Sequence, residues 1–503
     1  MRDDGLPMRV LLKPLALFVA LGLNAQTPTH QERYRPQVHF SPARNWTNDP
    51  NGLVFFNGEY HLFFQYNPFG DQWGHMSWGH AVSRDLLHWQ ELPVAIPEQG
   101  TEMVFTGSVV VDERNTSGLC TNGKPCMVAV YTGHHTTAGD AKGPTLQNQN
   151  LAFSNDNGRT WTRYAGNPVL DVHMPDFRDP SVFRDEEHGR WVMAVALPKE
   201  RKVALYGSPD LKQWTRLSEF GPAGATDGDW ECPDLLRVPA DKGTGTMWAM
   251  KVGLNPGALQ GGSGEQYFLG SFDGTRFTPS KKQGAQGWTN YGKDDYCAIS
   301  FNHLPRGERP VLLGWMSNWE YAAKLPTSPW RGQMSLPRRL SYLSDGTGLA
   351  VRQQPITEPL RMQPTVIASS NEITRDAPFE LSLSFDGKAQ GTTGVRLYSD
   401  GTHYTEIAFD NAKHEFYTDR THSSPEIAAT FPVKTSTALT PGRGNDLRLI
   451  VDTSSVEAFA QQGTIAMTSL IFPASTKTRI VFFSSEGKTE VKGDIWTLKS
   501  IWK

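Results

Sequence analysis

Residues 45–52 read Asn45-Trp46-Thr47-Asn48-Asp49-Pro50-Asn51-Gly52, and Asp49 is the one acidic side chain in this run of turn-forming and hydrogen-bonding residues. Two apolar runs follow at 53–56 and 60–64, and Asn57-Gly58 separates them. Asn-Gly between two apolar runs is a strong signal for a β-hairpin. The sequence therefore predicts that Asp49 lies just upstream of a strand, where its carboxylate can face a cleft.

The placement of a polar residue, usually an acid, before an apolar run recurs along the chain. Taking Asp49, Thr106, Asp179, Glu231 and Asp295 as equivalent points, the steps between them are 57, 73, 52 and 64 residues. Five units of this size, each with about four strands, predict a five-bladed β-propeller. The first strand of every propeller blade lines the central axis. We therefore expect Asp49, Asp179 and Glu231 to meet at one end of that axis.

A second repeat supports this division. A Ser-x-Asp sequence follows an apolar run at Ser83, at Ser154 and at Ser208, and a degenerate copy occurs at Asp273. An Asp in such a turn bonds to its own backbone two residues further on. The repeat therefore predicts the same turn near the outer edge of successive blades.

The character of the chain changes after residue 339. Residues 341–364 are predicted to be a linker, and from 365 to 503 several runs alternate between apolar and polar residues. Alternation with a period of two over several strands is typical of an antiparallel β-sandwich. The sequence thus predicts an all-β protein with a propeller at 34–340 and a β-sandwich domain at 365–503.

Length, charge and the amino terminus limit the possible partners. A chain of 503 residues is expected to form more than one domain. Its net charge of −3, without long charge runs, argues against a nucleic-acid partner. Arg9 and Lys13 precede an apolar run at 15–21, so residues 1–25 are predicted to be a signal peptide that starts at Met1 or Met8. This run is too short to span a membrane, so we expect a secreted or periplasmic protein. The sequence does not indicate an oligomeric state.

The four cysteines leave the pairing partly open. Cys120 and Cys126 bracket a short loop and are candidates for a disulfide, whereas Cys232 and Cys297 have no partner evident from the sequence. Neither C-x-x-C pairs nor an H-E-x-x-H motif occurs. No metal or other cofactor is expected.

The three acidic motifs resemble, in order and spacing, those of glycoside hydrolase family 32, which includes the invertases, exo-inulinases and levanases. The motifs are Asn45-Trp46-Thr47-Asn48-Asp49-Pro50-Asn51-Gly52, Phe177-Arg178-Asp179-Pro180 and Trp230-Glu231-Cys232-Pro233. Similar stretches occur at 105–108, 314–319 and 329–332, and at 452–459 in the carboxy-terminal part. The resemblance runs from about residue 35 to the end of the chain.

This resemblance implies a five-bladed propeller followed by a sandwich, and retaining hydrolysis of terminal β-D-fructofuranosyl residues in fructans (levan or inulin) and/or sucrose. Asp49 matches the family nucleophile, Glu231 the general acid/base, and Asp179 the third acid, which holds fructose hydroxyls. The positions expected to line the fructose pocket are Asn48, Gln65, Trp73, Phe105, Thr106, Arg178, Asp295 and Trp315.

The chemistry places demands on these side chains. Retention requires two carboxyl groups about 5–5.5 Å apart, one attacking the anomeric carbon and the other protonating the leaving oxygen. The proton donor needs a raised pKa, which neighbouring carboxylates provide by charge repulsion. Arg178 is expected to keep the adjacent Asp179 ionised by the opposite effect.

Three other functions fit parts of this pattern. Another five-bladed propeller family also uses three acids on arabinose- or xylose-containing glycans, but it lacks the full set of motifs seen here. A fructosyltransferase would use the same covalent intermediate, and a non-catalytic fructan-binding protein could share the scaffold. The choice among sucrose, inulin and levan is open. Release of single fructose units from chain ends is favoured, because Trp73, Phe105 and Trp315 indicate a closed pocket.

Overall fold

The computed structural model describes Met1 and residues 29–136, 145–345, 348–367, 372–386, 390–423, 427–487 and 491–502. The predicted signal peptide lies outside the described residues, apart from Met1. Nearly all regular structure in the described residues is β-strand, and the helices there are four 3₁₀ turns, Pro198–Glu200, Ala322–Lys324, Glu358–Leu360 and Gln461–Gly463. Within these ranges we find no helix with the length and apolar character that crossing a membrane requires.

The amino-terminal part forms five antiparallel sheets, which we call blades 1 to 5. Blade 1 contains β1 (Asn45–Phe56), β2 (Glu59–Asn67), β3 (Ser77–Ser83) and β4 (Trp89–Ile96). Blade 2 contains β5 (Glu102–Asp112), β6 (Cys126–His135), β7 (Leu146–Ser154), β8 (Thr162–Arg163) and β9 (Leu170–Met174). Blade 3 contains β10 (Arg178–Asp185), β11 (Arg190–Leu197), β12 (Lys202–Ser208) and β13 (Thr215–Phe220).

The remaining two blades complete the ring. Blade 4 contains β14 (Asp229–Pro239), β15 (Thr246–Asn255), β16 (Gly264–Phe272), β17 (Phe277–Pro279) and β18 (Gln286–Trp288). Blade 5 contains β19 (Tyr296–Ser300), β20 (Val311–Trp315), β22 (Arg338–Asp345) and β23 (Gly348–Pro355), while β21 (Trp330–Arg331) pairs in parallel with β1 of blade 1. Each first strand contacts the first strand of the next blade, and β19 contacts β1, so the ring is closed.

Apolar side chains from facing blades fill the spaces between them. Val54 and Trp78 of blade 1, for example, pack with Val109 and Met127 of blade 2. Similar buried clusters lie between blades 2 and 3, 3 and 4, and 4 and 5. Because burial of apolar surface is the main driving force for folding, these clusters hold the blades at fixed angles around the axis.

Two local predictions are confirmed. Asn57 and Gly58 both have positive φ, 48° and 83°, and form the predicted two-residue turn between β1 and β2. The Ser-x-Asp turns follow the third strands, and Ser83, Ser154 and Ser208 each donate to the Asp two residues on, at 2.8–3.2 Å.

Two boundaries differ from the prediction. β1 begins at Asn45, so the motif at 45–52 lies within the strand and not upstream of it. The predicted linker at 341–364 contains most of β22 and all of β23, which pair with each other and join blade 5 through β20. The connecting segment between the two domains is therefore confined to the residues after Pro355.

The carboxy-terminal domain is a β-sandwich of two six-stranded sheets. The strands of each sheet are named in the order in which neighbours pair. One sheet contains β24 (Thr365–Ile367), β35 (Val491–Thr497), β26 (Phe379–Phe385), β31 (Asp446–Val451), β32 (Ser455–Ala460) and β33 (Ile465–Leu470). The other contains β25 (Glu372–Asp376), β34 (Lys477–Ser484), β27 (Thr392–Tyr398), β28 (Tyr404–Asp410), β29 (Glu415–Asp419) and β30 (Lys434–Ala438). The predicted all-β propeller and sandwich are thus confirmed.

Buried polar groups join the two domains. Asp452, at the end of β31, accepts hydrogen bonds from the backbone N–H groups of Gln37 and Val38, which precede blade 1. His39 lies fully buried between Asp452 and Glu457, at 2.7 and 3.1 Å. Burial alone would lower the pKa of His39, but its hydrogen bonds to these two carboxylates raise the pKa to about 9. The imidazolium therefore binds the sandwich to the propeller at neutral pH.

We predict that this junction loses stability in alkaline solution. The pKa of His39 is about 9 in the folded protein and about 6.5 in the unfolded chain. The stability that the charged His39 contributes is therefore complete below pH 6.5 and is lost as the pH rises through about 9. His39→Gln should lower the free energy of unfolding by about 2–4 kcal/mol at pH 6 and by much less at pH 10. Urea unfolding at both pH values measures this difference, with the exposed His173→Gln as the control. An equal loss at both pH values would contradict the proposed charge on His39.

Candidate active site

Each first strand of the five blades carries an extra residue at the same end of the ring, and β1 has a second irregularity of this kind between Asn51 and Val54. On β1, Thr47 pairs with Tyr66 and Pro50 with Phe64, so three steps on β1 face two steps on β2. The same irregularity lies at Val104/Gly107, Arg178/Ser181, Glu231/Asp234 and Tyr296/Ile299 of the other first strands. This is a β-bulge, which bends a strand and changes the direction of its side chains.

The three acids occupy three successive positions of these bulges. Glu231 is the last paired residue before the bulge of β14, Asp179 is the first unpaired residue in β10, and Asp49 is the second unpaired residue in β1. Asp179 has a φ of 66°, in the left-handed region. The three acids therefore lie within two residues of equivalent positions on their strands, and not at identical positions as predicted. The bulge explains how their side chains still converge.

The carboxylate of Asp49 is buried and only partly satisfied. Thr106 Oγ1 donates to Asp49 Oδ2 at 2.9 Å, whereas Oδ1 has no hydrogen-bond partner among the described residues. Burial, and then repulsion by Asp179 and Glu231, raise the pKa of Asp49 to about 7, against hydrogen bonds from Asn48 and Thr106 that lower it. A carboxylate oxygen of Asp49 also lies within 4.8 Å of the sulfur of Cys232, the residue after Glu231, so the two acids lie close together.

Asp179 is held from both sides by neighbouring strands. Its backbone N–H donates to Thr132 Oγ1 at 3.0 Å, and the Cys232 N–H donates to its Oδ2 at 2.9 Å. Burial raises the pKa of Asp179 to about 7, since the opposing effect of Arg178 is smaller and Glu231 adds to the increase. Arg178 thus acts on Asp179 in the predicted direction, towards the ionised form, but the effect of burial is larger.

Arg178 binds Glu231. Its Nε and Nη2 donate to Glu231 Oε1 at 3.1 and 2.9 Å, and its Nη1 donates to Asp176 at 2.7 Å. The hydroxyl of Tyr296 donates to the other oxygen, Oε2. Burial and then the charge of Glu231 raise the pKa of Tyr296 well above its usual value, so this phenol stays neutral. Both oxygens of Glu231 are thereby oriented by fixed donors.

The sequence did not identify Tyr296 as a site residue. A signal for it exists, since Tyr296 follows Asp295 and opens the fifth first strand. In the bulge register it corresponds to Glu231 of the preceding blade. Only the register, which the sequence does not specify, makes this correspondence visible.

Aromatic side chains form a rim on one side of the acids. Trp73 is 46% exposed and meets Phe105 edge to face, with ring centroids 6.1 Å apart. Phe105 in turn stacks on His134 at 4.2 Å. Gln65 is buried next to this rim and donates to the backbone of Val104 at 3.0 Å. Phe105 directly precedes Thr106, which donates to Asp49, so this rim begins beside the acids. The sugar contacts of Trp73 and Phe105 stay predictions.

Trp315 lies deeper than predicted. It is 1% exposed and contacts Trp46 and Trp319, with centroids 6.1 and 4.8 Å away. Trp46 Nε1 donates to Asn48 Oδ1 at 2.8 Å, which orients the amide of Asn48 beside Asp49. Trp315 therefore acts on the site through packing, as part of its floor.

Asp295 does not join the acids. Its carboxylate is 2% exposed, and it bonds to Arg338 at 2.8 Å and to Asn290 at 3.1 Å. Asn290 also donates to Thr468 of the sandwich. Asp295 thus belongs to a buried polar network near the junction of the domains, and the predicted contact with sugar has no support in the structure.

A cavity of about 420 Å³ runs along the centre of the ring. Thr106 and Asp179 line it near the acids, and His303 and Glu308 line it near the far ends of the first strands. Neither Asp49 nor Glu231 lines this cavity. Asp179 is therefore the member of the acid cluster that lines this cavity.

All four cysteines form disulfides. Cys120–Cys126 closes the short loop that the sequence indicated, and Cys232–Cys297 joins blades 4 and 5. Potential metal-ligating atoms of Asp49, Cys232 and Cys297 lie within 4.8 Å of one another. Because these two sulfurs are bonded to each other, they are not available as thiolate ligands.

Family comparison agrees with this geometry. The model of the glycosyl hydrolases family 32 N-terminal domain matches residues 39–355, and that of the family 32 C-terminal domain matches residues 351–497. The chain belongs to glycosyl hydrolase family 32. The family boundary near 351–355 coincides with the end of β23, where blade 5 is complete.

Members of family 32 resemble this chain over most of its length. The extracellular exo-inulinase of Aspergillus awamori is 40% identical over 98% of the chain and 100% of the relative, and its crystal structure gives a TM-score of 0.88 over 94% of this chain and 100% of the other. The levanase of Bacillus subtilis (strain 168) is 41% identical over 95% of the chain and 72% of the relative. The β-fructofuranosidase of Schwanniomyces occidentalis, complexed with fructosyl-erythritol, is 32% identical with a TM-score of 0.83, over 93% of this chain and 98% of the other.

We predict that the acid cluster of this family 32 protein costs stability. The pKa of Asp49 is about 7 in the folded protein, well above its value of about 4 in the unfolded chain. The stability that protonated Asp49 contributes is therefore complete below pH 4 and is lost as the pH rises through about 7. Asp49→Asn cannot ionise, so it should be more stable than the wild type at pH 8 by about 1–3 kcal/mol and about equal at pH 4. Denaturant unfolding at both pH values measures this gap, and the exposed Glu187→Gln is the control. A variant that is less stable than the wild type at pH 8 would contradict the repulsion among the acids.

Proposed function

We propose that the protein is a retaining β-fructofuranosidase that releases terminal fructosyl units from fructans (levan or inulin) and/or sucrose. The observation that carries this proposal is the clustering of Asp49 and Glu231 on one side of the ring, each with donors that orient it. The names of the relatives, exo-inulinase, levanase and β-fructofuranosidase, support the same substrate class. These names do not favour the two alternatives, a fructosyltransferase and a non-catalytic fructan-binding protein.

Asp49 is the nucleophile in this proposal. Thr106 and Asn48 stabilise its anion through hydrogen bonds, while Oδ1 has no hydrogen-bond partner in the described part of the chain and can attack the anomeric carbon. The attack forms a fructosyl ester on Asp49 and breaks the bond to the leaving oxygen. The ester splits one difficult displacement into two easier ones.

Glu231 is the general acid and base. It donates its proton to the leaving oxygen, and it then takes a proton from the water that attacks the ester. Arg178 and Tyr296 hold its two oxygens in one orientation through both steps. Asp179 is rigidly placed by Thr132 and Cys232, and it accepts hydrogen bonds from fructose hydroxyls that strengthen in the transition state.

Cleavage at chain ends is the proposed mode. Trp73 and Phe105 form a wall next to the acids, and Asn48 and Gln65 are proposed to contact the sugar from within this enclosure. An enclosed pocket accepts a terminal fructose but not the middle of a chain. Several relatives are named extracellular, which supports the proposal that this enzyme is secreted.

We predict that Asp49→Ala and Glu231→Ala each lower kcat on sucrose, inulin and levan by about 10³-fold or more, because each removes a group that takes part in bond making. Reducing-sugar assays on the three substrates in parallel measure this loss and also rank the substrates. Glu187→Ala, on the exposed surface, should keep wild-type activity. Either site variant that remains folded and within tenfold of the wild type would remove that residue from its role.

The stereochemistry of the first product provides an independent prediction. Double displacement through Asp49 retains configuration, so β-fructofuranose should be the anomer that forms first. Proton NMR during the first minutes of hydrolysis, before mutarotation, distinguishes the two anomers. If α-fructofuranose forms first, the reaction is a single displacement and the proposed nucleophile is wrong.

A further inference from the structure

We propose that the Cys232–Cys297 disulfide is a positioning element of the active site, which fixes Glu231 and Tyr296 relative to Asp49, so that reduction of this bond lowers turnover. The inference rests on the proposed function, because it concerns the roles of the same carboxylates. It assigns a task to two cysteines that the reaction itself does not use.

The disulfide lies within the two bulges that shape the site. Cys232 and Cys297 are the first unpaired residues in the bulges of β14 and β19, and their Cα atoms are 5.4 Å apart. Both have positive φ, 46° and 49°, and both are buried, at 2% and 0% exposure. The bond therefore joins two strained backbone segments of adjacent blades in the interior.

Each cysteine directly follows one partner of the hydrogen bond between Tyr296 and Glu231. Glu231 precedes Cys232, Tyr296 precedes Cys297, and the Tyr296 hydroxyl donates to Glu231. The hydrogen bond and the disulfide thus connect the same two bulges, one residue apart. Any separation of the bulges would lengthen the hydrogen bond that orients Glu231.

The same disulfide also contacts the other two acids. The Cys232 N–H donates to Asp179 Oδ2 at 2.9 Å. Its sulfur and that of Cys297 lie within 4.8 Å of a carboxylate oxygen of Asp49. One covalent bond is therefore adjacent to all three acids, whereas Cys120–Cys126 lies in a loop of blade 2 after β5. The Cys120–Cys126 disulfide is therefore a matched control for the Cys232–Cys297 disulfide.

Reduction would displace these groups. An external dithiol gives two electrons and two protons to the bridge, so the S–S bond breaks, two thiols form and the dithiol is oxidised to its own disulfide. Bonded sulfurs are in general about 2.05 Å apart, while unbonded heavy atoms need about 3.5–4 Å. The two sulfurs must therefore move apart by more than about 1 Å in a buried site. A displacement of this size that reaches the bulges costs about 10²-fold in rate.

The test compares three proteins before and after treatment with dithiothreitol: the wild type, Cys297→Ala and Cys120→Ala/Cys126→Ala. We expect reduction to lower wild-type kcat by about 10²-fold with little change in KM, and reoxidation to restore it. Cys297→Ala should start with kcat reduced by about tenfold, an altered pH–rate profile and no response to dithiothreitol. The double variant should match the wild type, including its sensitivity to the reductant.

Alkylation of free thiols and peptide mapping identify which bridge is open when activity falls. This measurement uses the wild type and decides the matter even if Cys297→Ala fails to fold. The inference is overturned if activity persists while Cys232 and Cys297 are alkylated, or if Cys297→Ala keeps wild-type kcat and pH profile. A wild type that hydrolyses neither sucrose, inulin nor levan would instead overturn the proposed function.

Discussion

The structure of the site depends on a β-bulge that lies at the same end of each of the five first strands. A regular strand alternates its side chains between two faces, and acids at three different positions would then point in different directions. The bulge interrupts the ladder and redirects the unpaired residues. Glu231, Asp179 and Asp49 thereby meet although they occupy successive positions. The interblade packing keeps the five bulges in register around the axis.

Convergence of the acids has an electrostatic cost that the fold must offset. Burial and mutual repulsion raise the pKa values of Asp49 and Asp179 to about 7, so both are more easily protonated than free carboxylic acids. Arg178 supplies the opposing charge, but its hydrogen bonds go to Glu231 and Asp176. The remaining support comes from neutral donors, Thr106 and Tyr296, and from the Cys232 backbone. Such an arrangement trades stability for reactivity, as active sites commonly do.

Much of this could be predicted from the sequence, because repeats and turns are local signals. The Asn57-Gly58 hairpin, the Ser-x-Asp turns and the spacing of the acids led to the propeller, and the period-two alternation led to the sandwich. The remainder depends on register, which local patterns do not specify. For this reason the sequence did not identify Tyr296 as a site residue. It also did not show that Cys232 and Cys297 bond to each other. Asp295, predicted to line the pocket and located two residues before the first unpaired residue in the bulge of β19, instead bonds to Arg338 and Asn290. The predicted linker at 341–364 differs from the structure because the pairing of β22 with β20 and β23, which places these residues in blade 5, has no local signal.

The central claim is that the bulge of β1 presents Asp49 as the group that bonds to fructose. The most direct measurement is mass spectrometry of peptides from Glu231→Gln, quenched during reaction with an activated β-fructofuranosyl donor. This variant keeps an amide in place of the acid/base and should hydrolyse the covalent ester slowly. The account predicts one anhydrofructose unit attached to Asp49. Attachment to Asp179 or to any other residue would contradict it.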